Sequence, residues 1–159
     1  GVRFARRTRR PPTDPVNSLL SFGYTLVYYM IHSCLRARGL DPHIGLLHEP
    51  GGDHPALASD LVEEFRAPIV DALVLSLFNR GELSAADFCY EEGVPAPCLL
   101  RQESRPVFLR AFEEKMESQR AHPDVGHPVD WRRIIDLQVS RLRRFIEGKT
   151  THYQPHTTE

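Results

Sequence analysis

Residues 14–39 read DPVNSLLSFGYTLVYYMIHSCLRARG, and this stretch decides the fold. Asp14 can accept a hydrogen bond from the freed amides of a first helical turn, and Pro15 is tolerated at the first helical position. Apolar residues then recur at Val16, Leu19, Leu20, Gly23, Leu26, Val27, Met30, Ile31, Cys34 and Leu35, the period of an α-helix. Gly39 supplies the stop. Twenty-odd residues at 1.5 Å each give a helix of about 35 Å, long enough to cross a small domain. Ser21, His32 and Ser33 interrupt the apolar run and Arg36 and Arg38 close it, so it reads as a buried helix and not a membrane span.

Working outward, the rest of the chain punctuates into further helices, and the expected fold class is all-α. Residues 1–12 form a basic arm with Arg3, Arg6, Arg7, Arg9 and Arg10, ended by Pro11-Pro12. That arm either tracks phosphates or is a solvated linker. Residues 41–54 hold Pro42, Gly45, Pro50, Gly51 and Gly52 and read as loop. A second long helix is expected from Pro55 through Leu57, Leu61, Phe65, Ile69, Leu73 and Leu77 to Gly81, with a kink near Arg66 imposed by Pro68. Ser84 to Asp87 resembles a short capping box, and residues 91–103 read as a loop or a small strand pair. Ser104 is expected to cap a helix to about Gln119, and Asp130 another from Trp131 to Glu147. The resulting organisation is a basic arm over 1–12, a helical domain over 13–148, and an aperiodic, flexible tail over 149–159.

Composition agrees with one ordinary soluble domain: 159 residues, 41% apolar, 26% charged, net charge −1. The near-zero total hides a basic first block and an acidic second one, Glu49, Asp53, Asp60, Glu63 and Glu64. Cys34, Cys89 and Cys98 form no CxxC pair, which argues against a zinc ribbon or disulfide framework and for a reducing cytoplasm. No signal peptide is present, and the chain opens on Gly1 as a fragment would.

The chemistry concentrates in residues 46–66, LLHEPGGDHPALASDLVEEFR. Asp60 and Glu63 follow His48 by twelve and fifteen residues. At i, i+3 the two acids share a helix face with side chains about 5–6 Å apart. A neutral imidazole and two carboxylates converging on one point suit Mg²⁺ or Mn²⁺. Glu64, at i+4 from Asp60, competes with Glu63, and periodicity does not choose between them. The simpler reading is that acids favour the opening turns of a helix because of its dipole, with His48 an ordinary loop residue. The arginines of residues 132–144 read first as a solvated helix face and second as a nucleic-acid surface. No GxSxG and no P-loop occurs, and no base stands near Cys89 or Cys98 to activate a thiol.

Three blocks together carry a resemblance: RRTRRPPTDPVNSLLSFGYTLVY at 6–28, GLDPHIGLLHEP at 39–50, and DLVEEFRAPIVDALVLSLFNRGEL at 60–83. They closely resemble the α-helical C-terminal domain of the CRISPR-associated spacer-acquisition integrase, strongly over residues 6–90 and weakly beyond. The resemblance implies a Mg²⁺ or Mn²⁺ site of one glutamate, one histidine and one further acid. His48 falls on the family histidine, Glu63 on the last acid and Asp60 on an acid one turn earlier, so the resemblance selects Glu63 over Glu64. Arg66 takes the place of a basic residue near the site. The first glutamate, and a β-rich N-terminal domain that makes a homodimer, belong upstream of Gly1 in the family pattern. The implied activity joins the 3′-hydroxyl of a new spacer to the CRISPR repeat by transesterification. The implied partners are double-stranded DNA (prespacer and repeat) and a small ferredoxin-like adaptation protein, with Arg6, Arg7, Arg9, Arg10 and Arg66 on phosphates. Two rivals remain open on the sequence: a non-catalytic helical DNA-binding or assembly module, and a phosphohydrolase of small nucleotides.

Overall fold

The long first helix forms where its signals place it. In the computed structural model, which describes residues 2–43 and 56–157, α1 runs Pro15–Ala37. Asp14 caps it, its Oδ1 accepting from the Asn17 amide at 2.9 Å. At the other end Gly39, at φ 72°, closes the helix: its amide donates to Arg36 O at 3.0 Å and the Leu40 amide to Leu35 O at 3.0 Å.

The second helix is interrupted as Pro68 requires. Helix α2, Ala56–Phe65, passes into a π-helical turn, Arg66–Asp71, and resumes as α3, Ala72–Asn79. Proline has no N–H for an i−4 bond and its ring crowds that carbonyl, and widening the turn accommodates both faults. The Ser84 capping box is present in full, with the Ser84 amide donating to Asp87 Oδ2 at 2.8 Å. It opens a 3₁₀ turn, Ala85–Asp87. Two short strands follow, β1 (Phe88–Tyr90) and β2 (Cys98–Leu100), paired antiparallel with Cys89 opposite Leu99. Helix α4 spans Arg105–Glu117. Ser104 does not serve as the cap expected of it; it is buried and its hydroxyl donates to Asp87 Oδ1 at 2.7 Å.

One element escaped sequence reading. Strands β3 (Gln119–His122) and β4 (Val125–Asp130) form a second antiparallel hairpin turning at Pro123-Asp124. Each strand buries a single residue, His122 and Val129, so no apolar alternation announces it. Asp130 then caps α5, Trp131–Ile146, accepting from the Arg133 amide at 2.8 Å. The fold is thus mostly helical with two small hairpins.

The backbone divides into two compact units, Gly1–Thr25 with Ile69–Lys115, and Leu26–Pro68 with Met116–Glu159. In the first, Phe22 stacks on Phe108 with centroids 5.1 Å apart, and Phe108 on Phe112. Gly23 lets the backbone of α1 approach Val70 closely: a Cβ there would stand 2.5 Å from Val70 Cγ1. In the second, Phe65 meets Trp131 edge-on at 6.5 Å, among buried Leu57, Leu61, Ile134, Ile135 and Val139. No helix among the described residues is long and apolar enough to cross a membrane.

Candidate metal centre and nucleic-acid interface

The acids of α2 are sorted by the helix that carries them. Asp60 is the fifth residue of α2 and Glu63 the eighth, past the first turn where a helix dipole acts. The dipole therefore does not account for them. Successive residues stand about 100° apart around a helix axis, so adjacent Glu63 and Glu64 face different surroundings.

Glu64 turns into the protein. Its Oε1 accepts from the Tyr153 hydroxyl at 2.5 Å, and its Oε2 accepts from Gln138 Nε2 at 2.9 Å and from the His156 amide at 2.7 Å. Three donors occupy this carboxylate. Glu63 turns out: its side chain is 58% exposed, and both its oxygens accept from Arg66 Nη1, at 2.6 and 2.7 Å. Asp60, one turn earlier, is buried. Of the two glutamates that periodicity left equivalent, Glu63 is the one presented to solvent.

His48 lies outside the described residues, and among the described residues no group of three histidine, cysteine or acidic side chains could hold a metal. Asp60 and Glu63 fit a hard divalent cation as far as two oxygen donors can. Arg66 already neutralises Glu63, so a cation binding there competes with that pair. Because Glu63 is more than half exposed, opening the pair costs little.

The basic arm is not uniformly a solvated linker. The Arg7 guanidinium points inward, donating to Asn17 Oδ1 at 2.8 Å and to Ser21 Oγ at 3.0 Å, with its plane over the Tyr24 ring at 5.4 Å. Asn17, fully buried on α1, also accepts from the Thr8 amide at 2.9 Å and donates to Arg6 O at 2.8 Å. The Cys98 amide of β2 donates to Pro12 O at 2.8 Å. Arg6, Arg9 and Arg10 are exposed and line one cleft of about 540 Å³ beside Pro95. Arg7 is thereby placed apart from the other three.

On α5 the arginines are largely committed to local pairs. Arg141 forks onto Asp124 with both contacts at 2.6 Å, Arg143 reaches Glu147 at 2.8 Å, and Arg133 reaches Asp136 at 2.6 Å. Asp136 also receives Arg38, at 2.6–2.9 Å. Tyr24 and Tyr28 are half-buried, whereas Tyr29 is 63% exposed. All three cysteines are free, and burial pushes the Cys34 and Cys98 thiols up, away from nucleophilic thiolate.

The residues that sequence reading missed are in the tail. Residues 150–157 have no regular secondary structure, yet they are fastened to α2 and α5 instead of fraying. Tyr153 and His156 hold Glu64, and the His156 ring stacks on Phe65 with centroids 5.6 Å apart. Burial first, and the Glu64 carboxylate second, push the Tyr153 phenol far above its ordinary range. The His122 and His156 rings are parallel with centroids 6.3 Å apart, and burial holds both below the ordinary imidazole value. A lone Tyr-x-Pro in an otherwise polar terminus was the available signal.

Comparison with known proteins places this geometry. Residues 1–114 match the family model described as CRISPR associated protein Cas1. The chain is 43% identical over 152 residues to CRISPR-associated endonuclease Cas1 3 of Thermus thermophilus, covering 96% of this chain and 45% of that protein. Among solved structures it is similar to a casposase bound to integration product, with TM-score 0.84, 28% identity, and 95% and 42% of the two chains covered. It is also similar to a chain of a Cas6-RT-Cas1–Cas2 complex, with TM-score 0.81, 27% identity, and 97% and 16% covered. The chain spans under half the length of the curated relative it matches. The mostly helical fold, the blocks around α1 and α2, and the match over residues 1–114 agree: this chain belongs to the Cas1 family of CRISPR-associated proteins.

Proposed function

We propose that this chain is the metal-binding helical part of a CRISPR adaptation integrase, and that Asp60 and Glu63, with His48, hold Mg²⁺ or Mn²⁺. The observation that carries this reading is the division of labour on α2, where Glu64 is tied inward by three donors and Glu63 faces solvent one turn from Asp60. Family membership supports the nuclease and integrase class, and the likeness to a casposase bound to integration product supports DNA as substrate.

In the proposed reaction the 3′-hydroxyl of an incoming DNA end attacks a phosphodiester at the repeat boundary. A new phosphorus–oxygen bond forms as the repeat strand's own 3′-oxygen leaves, so the number of phosphodiesters is conserved and no energy donor is needed. A bound divalent cation supplies charge stabilisation on the phosphoryl oxygens and in-line orientation. The chain's own residues do the rest. Asp60 and Glu63 would serve as carboxylate ligands, and Arg66, displaced from Glu63, would become available to the phosphate. Arg6, Arg9 and Arg10 hold the DNA backbone without reading bases. The protein acts in the cytoplasm as a homodimer on a small ferredoxin-like partner, a further ligand coming from a glutamate upstream of residue 1.

The test is Mn²⁺-dependent joining of a labelled DNA 3′ end to a repeat duplex by the intact protein. His48→Ala and Glu63→Ala should each lower joining by at least about 10²-fold, an effect of about 2.7 kcal/mol on the barrier. Unchanged joining in either variant would show the site to be misplaced, and DNA binding without joining in the unsubstituted protein would favour an assembly module.

A further inference from the structure

The tail over residues 149–157 is fastened to α2 at two adjacent points. Its two anchors fall on consecutive residues of α2, a polar one on Glu64 and an aromatic one on Phe65, immediately after Glu63 and immediately before the π-helical turn. A π-turn accommodates one extra residue in the ladder, and such turns are frequent at functional sites. Adjacent residues stand about 100° apart around the axis, so the rotation of α2 at its end decides which of Glu63 and Glu64 faces outward. At this point the neighbours are two glutamates of identical chemistry that differ in their donors: Arg66 meets Glu63, and Tyr153, Gln138 and His156 meet Glu64.

We infer that the C-terminal tail, through Tyr153 and Gln138, is a positioning clasp that sets the rotational register of α2 and so presents Glu63, and not Glu64, to the divalent cation. The inference rests on the metal-site reading proposed above. Gln138 is fully buried on α5, and its Nε2 lies within 3.2 Å of the Tyr153 hydroxyl and of Gln154 O as well as 2.9 Å from Glu64. Its Oε1 accepts from Arg141 Nη1 at 3.0 Å, and Arg141 is itself braced by Asp124. The clasp is therefore tied into α5 and the hairpin before it. The Phe65 ring, stacked on His156 and edge-on to Trp131, adds an apolar stop against the same rotation. Tyr153 and Gln138 touch no substrate in this scheme; they act through Glu64.

The experiment measures Mn²⁺ affinity of the intact protein by electron paramagnetic resonance titration, alongside strand joining. Tyr153→Phe removes only the hydroxyl and should weaken Mn²⁺ binding about tenfold, the usual scale for losing a group that orients a ligand. Glu64→Gln, nearly isosteric, should do the same, and it guards against reading a folding defect of Tyr153→Phe as loss of register. The distinguishing readout is coupling. Glu63→Ala should cost much less Mn²⁺ affinity in the Tyr153→Phe background than alone, because a released Glu64 can replace the missing carboxylate. A merely structural tail predicts additive losses, and additivity would overturn the clasp. If Glu63→Ala weakens Mn²⁺ binding but Tyr153→Phe and Glu64→Gln leave it unchanged, the clasp fails and the metal site stands. If Glu63→Ala itself leaves Mn²⁺ binding unchanged, the metal-site reading fails and the clasp with it.

Discussion

The basic arm over residues 2–13 and the tail over residues 149–157 both lack α-helix and strand in the structure. Both are nonetheless fastened by one polar side chain of a helix that satisfies several groups at once. Asn17 of α1 does this for the arm, engaging Arg7, Thr8 and Arg6, and Glu64 of α2 does it for the tail, engaging Tyr153, His156 and Gln138. The difference lies in what is left outside. The arm commits one arginine inward and leaves Arg6, Arg9 and Arg10 exposed, whereas the tail turns its two anchoring residues, Tyr153 and His156, toward the helices. Irregular backbone can thus present charged side chains to solvent or act purely as a fastener.

The largest effect should come from breaking the arm's anchor. Asn17 is fully buried, so Asn17→Ala removes the acceptor of the Thr8 amide and one acceptor of the Arg7 guanidinium, and should lower unfolding free energy by about 2–4 kcal/mol in a urea titration. A loss under about 1 kcal/mol would mean the arm contributes little to the fold. Tyr153→Phe, at the corresponding point of the tail, should cost about 1–2 kcal/mol, because half-buried Glu64 keeps two of its three donors and can recover water. Equal costs for the two substitutions would erase the distinction between a buried and a half-buried anchor.

Acid should separate the two regions next. His122 and His156 titrate below their ordinary 6.5 in the fold, chiefly through burial, with Arg141 adding to the shift in both and Asp124 opposing it in His122. A depressed folded value means the contribution to stability is present above about pH 6.5 and is lost as pH falls through the folded value. Protection of the amides of residues 149–157, measured against their intrinsic exchange rates, should therefore fall between about pH 7 and pH 5. Residues 1–13 contain no histidine and should not follow. At the alkaline end the raised Tyr153 phenol works in the opposite sense: its contribution is whole below about pH 10 and is lost as pH climbs above it. The smallest effect on the fold, under about 0.5 kcal/mol, should come from Arg9→Ala, which should instead reduce the salt dependence of DNA binding by about one unit of slope. Arg7→Ala should reverse that pattern, losing stability with no loss of slope.

Much of the framework was legible because its signals are local. Asp14, Pro15 and Gly39 bound α1, Ser84 and Asp130 cap where they were expected to, and Pro68 breaks the second helix within the turn predicted for it. Local signals also misled. Ser104 has the chemistry of a cap but donates to Asp87, and the β3–β4 hairpin lacks the alternation that would reveal it.

By itself, the sequence determined the helical class, the boundaries of the capped helices, and the candidacy of His48, Asp60 and Glu63, through spacing and through blocks characteristic of one family. The tertiary structure decided which arginine of the arm turns inward and which of two adjacent glutamates turns out. Those choices are made by hydrogen-bond partners elsewhere in the chain. Asn17 sits ten residues from Arg7, and Tyr153 sits eighty-nine from Glu64. Identical neighbouring side chains differ only in what the fold brings to meet them.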